Sequence, residues 1–230
     1  MRIKLIFIVV VTALFSCKTT KNTTNSETPS SAQQYLALGD SYTIGEMVEL
    51  EGSFPHQLVA AINAKTESTF DKPRIIAKTG WRTDELLAAM KVVDEKYDLV
   101  SVLIGVNNQY QGKDINRFKS DFRIILKQAV SFSKNGKDRV FVYSIPNYGI
   151  MPFMRVKNVK KVRNELRAYN AICSEVAKEC GVSFYNITRI SEKAAFDTKL
   201  IADDKLHPSK FQYKLWVDET VNQIIANQIH

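Results

Sequence analysis

A chain of 230 residues, 45% hydrophobic and 10% aromatic, has the composition of a globular protein, which excludes the disordered and fibrous classes. Its length, less an N-terminal leader and tether, leaves about 200 residues, enough for one domain with a substantial core and too few for two of ordinary size. The net charge of +8 is a modest excess.

At the N-terminus, Arg2 and Lys4 precede an apolar run from Leu5 to Phe15. That is the length of a signal-peptide core and too short to span a bilayer. Residues 1–16 are therefore expected to direct export. The run ends in Leu14-Phe15-Ser16-Cys17, which resembles the bacterial lipobox apart from the large Phe15, and implies that Cys17 is lipidated and becomes the first mature residue. Residues 17–33 then have no apolar period and read as a flexible polar tether. The expectation is a membrane-anchored lipoprotein, periplasm-facing in a Gram-negative cell because Lys18-Thr19-Thr20 lacks an acidic surface-export cluster. Nucleic acid is not an expected partner for an exported protein.

From residue 34 to residue 230, short apolar runs alternate with longer segments of helical period. This pattern predicts an α/β domain built on a parallel sheet. Five strands are expected, at Tyr35 to Leu38, Arg74 to Ala77, Leu99 to Ile104, Arg139 to Tyr143 and Val182 to Tyr185. The third and fourth are continuous Val, Ile, Leu and Phe runs, as required when both sheet faces are covered. Helices are expected from a hydroxyl cap at Thr83, from Asp114 to Phe132, from Asn158 to Cys180, and from Ser209 to about Asn227. The densest basic stretch, Lys157, Lys160, Lys161, Arg163 and Arg167, reads first as a solvated helix face and second as a site for an anionic lipid or glycan. Cys173 and Cys180 stand seven apart in one predicted helix, about 10 Å along its axis and too far for a disulfide. They are expected to be buried thiols.

In an open parallel sheet, ligands bind at the carboxyl ends of the strands, so the loops there carry the candidates. After the first strand, Gly39-Asp40-Ser41 sets a hydroxyl at the crevice, either as a helix-capping loop or as a nucleophile backed by backbone N–H groups. After the second, Gly80 in Lys78-Thr79-Gly80-Trp81 can offer an unobstructed N–H. After the third, Asn107 in Gly105-Val106-Asn107-Asn108 can donate a side-chain amide to a developing oxyanion. Near the end, Asp204 precedes His207 by three residues in a turn halted by Pro208, so that it can hold the imidazole Nδ1 and leave Nε2 free to take a serine proton.

Taken in order, Gly39-Asp40-Ser41, Gly80, Gly105-x-Asn107 and Asp204-x-x-His207 resemble the blocks of the GDSL family of SGNH hydrolases. The resemblance implies a three-layer α/β/α fold with a five-stranded parallel sheet in flavodoxin-like order 2-1-3-4-5. It also implies a catalytic triad of Ser41, Asp204 and His207, and an oxyanion hole of the Ser41 and Gly80 N–H groups with the Asn107 amide. No metal and no cofactor enters that chemistry. Asn108 stands where the family often has Asp, which concerns support around the site and not the donor itself. The Gly-x-Ser-x-Gly elbow of α/β-hydrolases is absent. Tyr42, Trp81, Tyr110, Tyr148, Met151, Phe153 and Met154 adjoin strand ends and are equally candidates for a substrate pocket or for core packing. The expected reaction is hydrolysis of a small-molecule, lipid or glycan ester: a lipid-type acyl ester or thioester such as a lysophospholipid, or an acetylated glycan. The alternative is a non-catalytic envelope lipoprotein that uses the fold to bind.

Overall fold

The computed structural model describes residues 32–154 and 158–229. The leader, Cys17, all but the end of the tether, and Lys157 lie outside the described residues. Five strands form the sheet: β1 (Tyr35–Gly39), β2 (Arg74–Ala77), β3 (Leu99–Leu103), β4 (Val140–Tyr143) and β5 (Ser183–Tyr185). All neighbours are parallel in the order β2-β1-β3-β4-β5, as the resemblance implied. One register row runs Ile76, Leu38, Val102, Val142, Phe184 across all five strands. Every residue of β1, β3 and β4 is buried, so helices cover both faces and the apolar runs need no alternation.

Among the described residues, eight α-helices surround the sheet: α1 (Ser41–Ile44), α2 (Phe54–Lys65), α3 (Thr83–Met90), α4 (Val106–Tyr110), α5 (Ile115–Phe132), α6 (Val159–Cys180), α7 (Thr188–Ser191) and α8 (Lys210–Ile224). Helix α2 packs on α8, while α5 packs on both α3 and α6, which makes the two outer layers. Between the α2–α8 pair and the sheet lies an aromatic cluster, with Phe54 edge-on to Tyr143 at 5.2 Å and Tyr213 to Trp216 at 4.9 Å. Each such pair adds about 0.5–1.5 kcal/mol to its area burial.

Asp114, Asn158 and Ser209 each cap the following helix through the side chain, as expected for α5, α6 and α8. The start of α3 differs. Thr83 is its first helical residue and its hydroxyl caps nothing; the Arg82 N–H donates to Glu85, and Asn108 accepts from the Thr83 N–H at 3.1 Å. The strands match to within one residue. Arg139 falls out of β4 because it closes a 3-10 turn, Gly136–Arg139. Cys173 is buried and Cys180 half-buried, both as free thiols, and burial pushes the Cys173 thiol well up.

Candidate active site

Gly39 ends β1 in a space that admits no side chain: a Cβ there would lie 2.0 Å from Thr43 Oγ1 and 2.3 Å from the Leu103 carbonyl. The chain can therefore turn at once from the central strand into α1. Asp40 caps that helix, its Oδ1 accepting from the Tyr42 N–H at 3.1 Å, while its carbonyl takes the Thr43 and Ile44 N–H groups. Ser41 is the first helical residue, so its N–H has no intrahelical acceptor. The capping reading of this loop and the reactive-serine reading are compatible, because Asp40 does the capping.

Asp40 is only 1% exposed, and its Oδ2 has no hydrogen-bond partner among the described residues. Burial pushes its carboxyl up to about 7, against the pull of the backbone N–H groups around it.

His207 is fixed by a compact loop. The Ala202 N–H donates to the His207 carbonyl at 2.9 Å, and the Leu206 and His207 N–H groups both donate to Asp204 Oδ1 at 2.9 Å. Asp204 Oδ2 lies 2.5 Å from His207 Nδ1, which leaves Nε2 as the free ring nitrogen. Burial raises the Asp204 carboxyl, but the His207 side chain and these two amides outweigh it and hold the group below the usual carboxylate range. The Tyr42 ring stands edge-on to the imidazole at 5.8 Å.

Asn107 Nδ2 donates one hydrogen to the Trp81 carbonyl at 3.0 Å, so the second remains to serve a ligand. Gly80, just before Trp81, has φ +83 and open space where a Cβ would be. Asn108 is buried behind this edge. Its Oδ1 accepts from the Thr83 N–H, its Nδ2 donates to Thr83 Oγ1 at 2.9 Å, and the Thr83 hydroxyl donates to buried Asp121 at 3.2 Å. Asn108 thus welds α4 to the start of α3.

Ser41, Tyr42, Asn107, Tyr110, Tyr148, Phe153 and His207 line one cavity of about 150 Å³, together with Val106 and Leu206. Asp204 joins through His207. Gly80 lies outside its lining, as does Trp81, which contributes its carbonyl to Asn107. Met151 is packed with Ala194 and Leu200 in a small separate core, so it belongs to packing and not to the pocket; the Met154 side chain lies outside the described parts. Val106 and Leu206 were not expected. Each is adjacent in sequence to an expected site residue, a signal that could have found it. Tyr148 is a fixed wall: its hydroxyl donates to Gln109 at 2.7 Å, and Gln109 donates to Glu165 at 2.7 Å. A roomier surface groove of about 700 Å³, bordered by Met47, Gln57 and Lys210, contains none of the candidate catalytic residues. Among the described residues, no group of three or more His, Cys, Asp or Glu is placed to hold a metal ion.

The sheet order and the layers around it agree with comparisons to known proteins. The solved structures that share the fold include TesA, at 15% identity with TM-score 0.65 over 84% of this chain and 98% of that one; a lipolytic protein of the G-D-S-L family from Veillonella parvula, at 14% and 0.64 over 83% and 97%; and the acetylxylan esterase Axe2 from Geobacillus stearothermophilus, at 18% and 0.64 over 84% and 94%. No curated protein sequence matches. Residues 37–215 match the sequence model of the GDSL-like Lipase/Acylhydrolase family, and the chain belongs to that family as an enzyme of the esterase and acylhydrolase type.

Proposed function

We propose that the chain is a serine ester hydrolase whose nucleophile is Ser41, with His207 as general base and Asp204 as its partner. The observation that carries this reading is a single cavity lined by Ser41, His207 and Asn107, with His207 Nδ1 already held by Asp204. His207 Nε2 takes the Ser41 proton as Oγ attacks the ester carbonyl. The Ser41 N–H, the Gly80 N–H and the Asn107 amide receive the oxyanion. His207 then protonates the leaving alcohol, and a water deprotonated by the same ring releases the acid. In the test, a fluorophosphonate labels the folded chain and Ser41→Ala abolishes both labelling and turnover. Full turnover by Ser41→Ala would end the assignment, and failure of folded wild-type protein to label would favour the binding-module alternative.

The size of the cavity favours short acyl groups. About 150 Å³ is the volume that admits one benzene-sized molecule, and the walls Val106, Tyr148 and Leu206 are apolar or fixed. An acetylated glycan or another short-chain ester fits this space, whereas a long-chain lipid ester would have to leave past the exposed Phe153 and Tyr110. The acetylxylan activity in the name of one structural neighbour points the same way. Rates on nitrophenyl esters from acetyl to palmitoyl, next to a panel of acetylated glycans, test it: a maximum at the long end would favour the lipid-type substrate. We further propose export and lipidation at Cys17, for which metabolic labelling with an alkynyl fatty acid should vanish in Cys17→Ser.

A further inference from the structure

Among the described residues only two other than glycine adopt the left-handed backbone region, Met47 at φ 67 and Lys205 at φ 63. For a side-chain-bearing residue that conformation persists only when the surroundings impose it, and such residues gather at functional sites. Lys205 stands between Asp204 and His207. Its backbone is used on both sides: the N–H donates to the Ala202 carbonyl at 3.0 Å, and the carbonyl accepts from the Phe153 N–H at 2.9 Å. Phe153 lines the cavity and forms its exposed lip.

We infer that Lys205 is a positioning residue acting through its backbone, whose left-handed turn sets His207 Nδ1 against Asp204 and whose carbonyl ties the Phe153 lip to the same loop. Three links support this. The reversal at Lys205 lets the Leu206 and His207 N–H groups converge on one oxygen of Asp204 while the other oxygen meets the ring. An extended or right-handed residue at 205 would carry the following amides away from that oxygen. The Phe153–Lys205 bond then makes the general base and one edge of the acyl cavity parts of a single unit. The lysine ammonium plays no part: Lys205 forms no ion pair among the described residues, and the inference concerns the main chain alone. It rests on His207 being the general base.

The test compares substitutions that differ in tolerance of the left-handed region, in the full chain. Glycine enters it freely and asparagine readily, whereas a β-branched residue resists it. Lys205→Gly and Lys205→Asn should therefore keep kcat on a nitrophenyl acetate within a few-fold of wild type. Lys205→Val should lower kcat by at least tenfold with a much smaller change in KM. The low-field proton resonance of His207 Nδ1–H should survive in the Gly and Asn variants and be lost or broadened in Val. Should Lys205→Val fail to fold, Phe153→Pro, which removes the N–H donor to Lys205 together with the ring, should weaken the same resonance, while Phe153→Ala, which removes the ring but keeps the N–H, should retain it. Equal losses in Gly, Asn and Val would assign the effect to the lysine side chain and overturn the inference. Wild-type kcat in a folded Val variant would overturn it too, as would an unchanged resonance in Phe153→Pro. Labelling of Ser41 by fluorophosphonate separates the two levels: if wild type does not label, the serine-hydrolase reading fails, and if it labels but the Lys205 series is flat, only this inference fails.

Discussion

Replacing Asp40 with asparagine isolates the cost of a buried carboxyl next to Ser41. In the native state this group is buried and holds its proton up to about pH 7; in the unfolded chain it releases it near 3.9. The native state therefore binds more protons than the unfolded state between about pH 4 and pH 7, so stability from this group falls as pH rises through that window and levels off above it. A difference of about three pH units corresponds to about 4 kcal/mol at full burial. Asparagine is neutral throughout and keeps a carbonyl to accept from the Tyr42 N–H. Its extra amide hydrogens, unpaired where Oδ2 is unpaired now, add a roughly constant cost of about 1–3 kcal/mol. Relative to wild type, Asp40→Asn should thus gain roughly 2–4 kcal/mol between pH 4 and pH 8, whatever its offset at the lower value. Urea unfolding at pH 4, 6 and 8 measures this, since carboxylates common to both proteins cancel in the difference. A stability difference that is flat with pH, or that falls as pH rises, would refute the reasoning.

Asn107→Ala should lower kcat about 100- to 1000-fold, as for loss of one oxyanion donor, with a smaller effect on KM in steady-state kinetics on a short ester. Gly39→Ala should cost at least about 3 kcal/mol in urea unfolding, because the added methyl meets the Leu103 carbonyl as well as Thr43. Asn108→Asp should destabilise the fold by about 1–3 kcal/mol near neutral pH, through an ionised carboxylate competing with Asp121 for the Thr83 hydroxyl, and the loss should shrink in acid when thermal unfolding is followed against pH.

The sheet was legible because its central strands are buried on both faces and appear as unbroken apolar runs, and because Gly39, Gly80 and Asn107 mark three strand ends. Helix α2 was not, since Glu46 to Ser53 before it has no period and its own apolar residues are split between α8 and the sheet. The Asp204–His207 pairing was readable from a three-residue spacing, which local backbone geometry can close. Pocket membership was only partly readable. Trp81 and Tyr110 both follow strands, yet only Tyr110 turns a ring into the cavity, and that choice depends on helix phase in the short α4 and on packing across the crevice. The burial of Asp40 could not be seen locally either, because it is imposed by residues distant in sequence.

The Asn108 arrangement bears on how such a chain can change by descent. The Thr83 hydroxyl has one proton, and it goes to Asp121, while its lone pair receives a hydrogen from Asn108. An aspartate at 108 has no hydrogen to give, and it would claim the proton Asp121 now uses. Positions 83, 108 and 121 therefore cannot drift independently. In homologues of this chain an aspartate at 108 should be accompanied by loss of the acid at 121, and the departure from the usual motif becomes an inherited pair of changes instead of a single tolerated one.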